Sequence, residues 1–447
     1  MANQSTTMAG VTKSLLLGTT ALAAVAVAPV AQAADPLKLS LGGFAEYYLV
    51  ARSQRPLNDD GAGNSQKGRG FTTYWEDAEI WFSASTQLDN GVTVSYRMEM
   101  ETRNVDNSGL QGDNTIRNSS TVRNHFRDQH QIAFTSGFGR FEIGDVDGAT
   151  NAMTYAAPWV TKIGVVDGTD LLINPSDNFA GVGTKTGDLN RNNRINYFTP
   201  RFAPGFQFGV SFAPENGTTG RGAGGPDGNA GPVQTEEDNG DWQSITELSV
   251  NFVRSMNGVD VAWSLGGIYA PLEECDFQNA PVPGDAGCIA ISPNADRMIG
   301  GTGFQVSFAG WTVGAGASID NRGYHSNKGL AWEANAGVTY AVGPWSVGVQ
   351  GGYGQTNQFY WDDVSVPDTV TGGGRYQGGT DTKGSVGLGG SYTLGPGIML
   401  QAEAQYIVWD NQDFEKANGV SAGTYDKLRS HKEGSGFAFA FGTALSF

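Results

Sequence analysis

AEIWFSASTQLDNGVTVSYRMEME, residues 78–101, is the stretch that decides the fold. Before its centre Ala78, Ile80, Phe82, Ala84 and Leu88 keep one apolar phase; after it Val92, Val94, Tyr96, Met98 and Met100 do the same. A period of two marks a strand with two unlike faces. Between the runs stands Asp89-Asn90-Gly91, and Asn-Gly flanked by alternating segments signals a tight hairpin. The second face carries Glu79, Ser83, Gln87, Thr93, Arg97, Glu99 and Glu101. Burying so many charges would cost more than packing returns, so the pair has one apolar and one wet face.

The pattern extends in both directions. Upstream, Leu37, Leu39, Leu41, Ala45, Tyr47 and Leu49 share one face while Lys38, Ser40, Glu46 and Tyr48 share the other. Downstream, six more alternating pairs turn at Ser136–Gly139, Ala203-Pro204-Gly205, Asn257-Gly258, Ala309-Gly310, Val342-Gly343-Pro344 and Gly395-Pro396-Gly397. The last run is Phe437, Phe439, Phe441, Thr443, Leu445 and Phe447. Seven hairpins and one strand at each end predict sixteen strands, an even number whose ends can pair and remove both edges. The long connections fall near 52–73, 104–124, 144–193, 214–244, 271–302, 320–330, 351–382 and 410–434, and their length leaves an eighteen-stranded reading open. Short turns at one end and long loops at the other predict an all-β, transmembrane antiparallel barrel with periplasmic turns and extracellular loops. Tyr47, Tyr340, Trp345, Tyr392, Tyr406 and Phe447 lie near strand ends, where interfacial girdles form. A propeller or sandwich also has many short strands, but it would bury the wet face and show blade repeats.

Composition agrees. Sixty-five glycines among 447 residues, with only 16% charged residues, disfavour helices. Met1–Lys13 is a short polar stretch with one cation, Leu15–Val30 an apolar run, and Ala31-Gln32-Ala33 a small-residue cleavage pattern. Residues 1–33 therefore read as a signal peptide and 34–447 as the barrel domain. Loss of Lys13 with the signal takes the net charge of −17 to −18. That acidity excludes a nucleic-acid partner, which needs a basic face. Cys275 and Cys288 share a Pro/Gly-rich stretch of an exported chain, and a disulfide closing one loop is their natural reading.

Three stretches carry a family resemblance: residues 137–149 (GFGRFEIGDVDGA), residues 194–206 (RINYFTPRFAPGF) and the closing strand 437–447 with its terminal Phe447. With them the chain resembles the general porins of Gram-negative bacteria, in the alphaproteobacterial branch. The resemblance implies a homotrimer of sixteen-stranded, water-filled barrels in the outer membrane, contacting its lipid and lipopolysaccharide. It also implies a third loop folded into the pore after the fifth strand, with Phe447 read by the insertion machinery. The expected function is passive diffusion of small hydrophilic solutes and ions.

Function would then reside in a filter of opposed charges. The loop 144–193 carries Asp145, Asp147, Asp167, Asp170, Asp177 and Asp188 against Lys162, Lys185 and Arg191, which predicts an acidic constriction and a weak cation preference. Strand parity places Lys38, Arg52, Arg97, Arg127, Arg140 and Arg194 on a basic wall facing it. Each aspartate has the alternative of a solvated turn residue. Each arginine has the alternative of an ion pair with Glu79, Glu99, Glu101 or Glu142. Carboxylates at Glu236, Glu237 and Asp238, or at Asp362 and Asp363, could hold Ca²⁺, although no spaced binding loop supports it; no other cofactor or metal is expected.

His125, His130, His325 and His431 sit in no nucleophile motif, so a catalytic barrel is disfavoured. A ligand-specific channel, with Phe44, Tyr48 and Trp81 as too few aromatics to decide, and a surface adhesin or receptor are the remaining alternatives.

Overall fold

The computed structural model describes residues 36–55, 69–101, 127–164, 189, 191–215, 242–272, 295–324, 329–357, 376–412, 414–417, 425–429 and 432–447. Strand β1 (Lys38–Arg55) leads to the hairpin of β2 (Arg69–Gln87) and β3 (Thr93–Glu101), then to that of β4 (Arg127–Ser136) and β5 (Gly139–Asp147). A short helix α1 (Ala149–Met153) precedes β6 (Arg191–Phe198) and β7 (Phe206–Glu215). The next hairpins are β8 (Gln243–Met256) with β9 (Val259–Ala270), β10 (Arg297–Phe308) with β11 (Trp311–Asp320), and β12 (Ala331–Val342) with β13 (Trp345–Asn357). After β14 (Tyr376–Gly378) come β15 (Thr380–Gly395) and β16 (Ile398–Asn411), then β17 (Phe414–Ala417), β18 (Tyr425–Arg429) and the closing β19 (Lys432–Ser446).

Sixteen of these strands form a closed antiparallel barrel in the order β1-β19-β16-β15-β13-β12-β11-β10-β9-β8-β7-β6-β5-β4-β3-β2. Closure pairs Phe44 with Ser446 and Arg55 with Ser435. It is locked by reciprocal backbone hydrogen bonds between Gly43 and Phe447, at 2.9 and 3.1 Å. The barrel sheet itself keeps no lateral edge to recruit another chain. The seven turns read from the sequence join the strands as expected. At Asn257-Gly258 the φ angles are 52° and 82°, the left-handed pair that a two-residue hairpin loop demands and that Asn and Gly tolerate best.

Two features depart from the sequence reading. Several strands are longer than expected: β2 has 19 residues, β13 continues to Asn357 and β10 begins at Arg297, inside stretches assigned to loops. About 9–11 residues suffice to cross a bilayer. The ladders therefore rise beyond the apolar belt, where water on both faces erases the alternation while backbone pairing continues. Second, β14, β17 and β18 form a separate three-stranded sheet at the long-loop end, from strands too short to show a period.

The alternation has the predicted sense. Leu39, Leu41, Leu49, Phe82, Tyr96, Leu248, Phe304 and Phe441 all stand exposed on the outer face. At the short-turn end Trp311 stacks near Tyr340 and Trp345 near Tyr392, with centroids 4.6 and 4.5 Å apart, forming an aromatic girdle. Most buried side chains lie on the inner face, and they include two larger apolar clusters as well as polar groups. One joins Tyr48, Val50, Ile407, Trp409, Ala438 and Ala440 to Ile163; the other joins Ala213, Ile245, Ile268, Ala270 and Ile299 to Leu189.

Candidate functional site: the lumen and its inward segment

Residues 148–164 leave the end of β5 and run along the inner wall, past β7 to β16 and β1. They are fastened to seven strands. The Ala149 amide donates to Ser211 Oγ of β7 at 2.6 Å. The Thr150 amide and hydroxyl both donate to Glu247 Oε2 of β8, at 3.0 and 2.6 Å. The Tyr155 amide donates to Ser264 Oγ of β9 at 2.9 Å, and Gln305 Nε2 of β10 donates to the Ala156 carbonyl at 2.8 Å. The Ala157 amide reaches Asn335 Oδ1 of β12 at 3.0 Å, and Trp159 Nε1 reaches Glu403 Oε2 of β16 at 3.0 Å. Thr161 also donates to Glu403, and the Lys162 amide donates to Gln401 Oε1 at 2.7 Å. Finally Lys162 Nζ lies 4.0 Å from Glu46 Oε1 on β1.

Two apolar pegs reinforce this track. Ile163 and Leu189 are 1% and 0% exposed in the two inner clusters. Burying each contributes roughly 1.5–3 kcal/mol. At the start of the segment Ala149 and Met153 pack on Phe198. The segment is therefore a docked lining.

Glycines make the bed for it. A Cβ at Gly209 would sit 2.5 Å from Met153 Sδ, at Gly266 3.0 Å from Thr150 Cγ2, and at Gly389 3.0 Å from the Trp159 ring. At Gly303 it would overlap the Tyr155 carbonyl. These inner-face glycines stand on β7, β9, β15 and β10. Sequence reasoning counted them only as a bias against helix. Their recurrence on the inner parity of successive strands was the available signal.

The sequence-derived site residues divide into several groups. Arg97, Arg140 and Arg194 stand on the inner face, and each pairs with a carboxylate: Arg97 with Glu99 at 2.5 Å, Arg140 with Glu142, and Arg194 with Glu247. The last pair is fully buried, and Arg194 Nη2 also donates to the Leu189 carbonyl at 2.6 Å, so this arginine holds the two ends of the inward loop together. Arg52 is exposed on the inner parity of β1 near the long-loop end, opposite Ala438. Lys38 is exposed at the short-turn end, opposite Ser85. Arg127 opens β4 opposite Met100; its side chain lies outside the described residues.

Asp145 and Asp147 belong to β5, not to the loop. Asp145 has the parity of outward Ile143 and is buried beside His130 and Asn193 by register; Asn196 Nδ2 donates to the Asp147 backbone carbonyl at 2.9 Å. Asp167, Asp170, Asp177, Cys275, Cys288 and the suggested calcium carboxylates lie outside the described residues. Residues 148–164 carry one charge, Lys162. Phe447 ends the closing strand against Gly43.

Burial on the wall raises the Tyr155 phenol above its ordinary value, with the Arg201 guanidinium pulling partly the other way. This phenol stays protonated under physiological conditions.

A closed barrel with an apolar outer belt, a polar inner wall and a segment docked inside it defines a membrane channel. Comparison with known proteins narrows that class. Residues 18–412 match the family described as Gram-negative porin. Among solved structures, an anion-selective porin from Comamonas acidovorans is 14% identical, with a TM-score of 0.50, covering 92% of this chain and 100% of that one. Outer-membrane expressed OmpT of Vibrio cholerae is 13% identical, with a TM-score of 0.50, covering 92% and 98%. At such identity the likeness concerns the fold. No curated protein sequence matches. The chain belongs to the Gram-negative porins, and it forms an outer-membrane channel for passive diffusion. Family and fold are those of non-enzymatic channels.

Proposed function

We propose that this chain is a general diffusion pore for small hydrophilic solutes and ions, weakly cation-preferring, and that it has no catalytic role. Residues 1–33 are removed as a signal peptide, and the mature barrel assembles as a homotrimer embedded in outer-membrane lipid and lipopolysaccharide. One observation supports the selectivity: Arg97, Arg140 and Arg194 each have a carboxylate partner, so none of the three stands on the wall as an uncompensated cation. Asp167, Asp170 and Asp177 follow the docked segment in sequence and would add to a negative constriction.

Planar-bilayer recording of the purified mature protein across a salt gradient tests this. A modest cation-signed reversal potential that shrinks as salt rises is expected, because the Debye length falls from about 30 Å at 0.01 M to about 3 Å at 1 M. An anion-signed potential would overturn the preference and leave the pore; absent conductance from inserted protein would overturn the pore. Insertions in steps of three, with cross-linking to a trimer, test the assembly.

A further inference from the structure

Three cations of the barrel are held in a like way. Arg97 lies over the Trp81 ring at 4.6 Å, Lys162 over Phe44 at 6.0 Å, and Arg297 over Trp242 at 4.9 Å. Each also has a carboxylate: Glu99 at 2.5 Å, Glu46 at 4.0 Å and Asp320 at 2.7 Å. The first set is the most complete. Trp81 and Glu99 are directly paired across β2 and β3, and Arg97 stands on the diagonal, within reach of both. Gly42 on β1 supplies the bed: a Cβ there would overlap Trp81 Nε1 and sit 2.8 Å from Cε2, so the indole occupies the space that any other side chain would fill. The Arg97 side chain remains 36% exposed while its Nε is buried and without a hydrogen-bond partner. That geometry suits a guanidinium held over a ring, with part of it turned to the pore.

We propose that Trp81 is a positioning residue for selectivity: it holds Arg97 against the wall beside Glu99, and thereby keeps this positive charge out of the ion path. Trp81 is half-buried on the lumen side, and a cation resting on its indole gains from the ring quadrupole. Without the ring, the long Arg97 side chain samples the bore, where it repels cations and narrows the channel. Phe44, 6.3 Å from Trp81 between ring centroids, extends the same surface toward Lys162.

The inference rests on the channel reading, and the experiment separates the two. Trp81→Leu, Trp81→Phe, Arg97→Ala and the Trp81→Leu/Arg97→Ala double variant are compared with the parent in planar bilayers under a salt gradient. Loss of the ring lowers the ratio of wall-held to free Arg97 by about two- to fivefold, the usual worth of an exposed cation–aromatic contact. The cation-to-anion permeability ratio of Trp81→Leu should therefore fall about twofold at about 0.1 M salt and recover at about 1 M. Trp81→Phe should restore most of it, and the double variant should behave as Arg97→Ala. An unchanged ratio in Trp81→Leu, or an equal shift with and without Arg97, overturns the proposal while leaving the channel intact; a parent that does not conduct overturns the channel reading. If Trp81→Leu fails to assemble, Gly42→Ala displaces the ring and should lower the ratio in the same direction. If neither assembles, the ring is structural and the proposal falls.

Discussion

Replacing Gly303 by Ala places a methyl group under the middle of the docked segment. The new Cβ would overlap the Tyr155 carbonyl oxygen and lie 2.8 Å from its carbon, against an ordinary carbon–carbon separation of about 3.5–4.0 Å. Both groups belong to backbone, so the segment must rise by about 1 Å. The hydrogen bonds that straddle the point, Tyr155 to Ser264 and Gln305 to Ala156, then stretch from 2.9 and 2.8 Å. Each contributes about 0.5–1.5 kcal/mol, so roughly 1–3 kcal/mol of docking is lost. Ala149 and Met153 on Phe198 hold one end and the peg Ile163 the other, and the middle of the segment bows into the bore. Single-channel recording at about 1 M salt, where charge effects are screened, should show lower conductance and more open-channel noise. Gly300→Ala is the control: it is on the same strand but faces outward, and its Cβ would meet Ile319 Cγ2 at an ordinary 3.7 Å. If the two variants conduct alike, the glycine bed does not position the segment.

Glu247→Ala leaves Arg194 buried without its partner and removes the acceptor of Thr150; a loss of roughly 3–5 kcal/mol is expected, read as a lower melting temperature of the folded barrel by heat-modified gel mobility. Tyr155 gives a pH test. Its folded value lies above the ordinary 10.0, so its contribution to docking is fully present below about pH 10 and is lost as pH rises through the folded value. Phenolate absorbance, with Tyr155→Phe subtracted, should show this residue ionising only above its ordinary 10.0; ionisation at or below that value would contradict the burial.

Strand phase and turn chemistry were legible in the sequence because both are local. Asn257-Gly258 announces its own dihedrals, and the alternation from Leu37 to Leu49 needs only one apolar and one wet side. The ends of the strands were not legible, since β2 and β13 continue where both faces are wetted and no period survives. Site charges were found by parity, but their roles were not. Arg97 and Glu99 are two residues apart on one strand and could be assigned to each other; Arg194 and Glu247, or Trp159 and Glu403, meet only after closure and loop docking. The lumen's apolar clusters were missed for the same reason: Ile163 and Leu189 carry no pattern of their own, and they find Ile407 or Ile245 across the barrel.

Counting carboxylates is therefore a poor guide to what an ion meets in this pore. Glu247 is taken up by Thr150 and Arg194, Glu403 by Trp159 and Thr161, and Glu46 lies beside Lys162 and the Tyr48 hydroxyl. These acids anchor a lining that is itself nearly uncharged. A carboxylate with several donors is held in place, and much of its field is cancelled at a distance by the partners it holds. Selectivity then depends on charges that keep an exposed edge, and Arg97 is one of them. Its weight in the bore is set by Glu99 together with Trp81 and Gly42, which hold it at the wall. Neutralising Glu403 should chiefly loosen the segment and change conductance, whereas changing Trp81 should chiefly change the permeability ratio. A pore whose two properties move together in both variants would not be built this way.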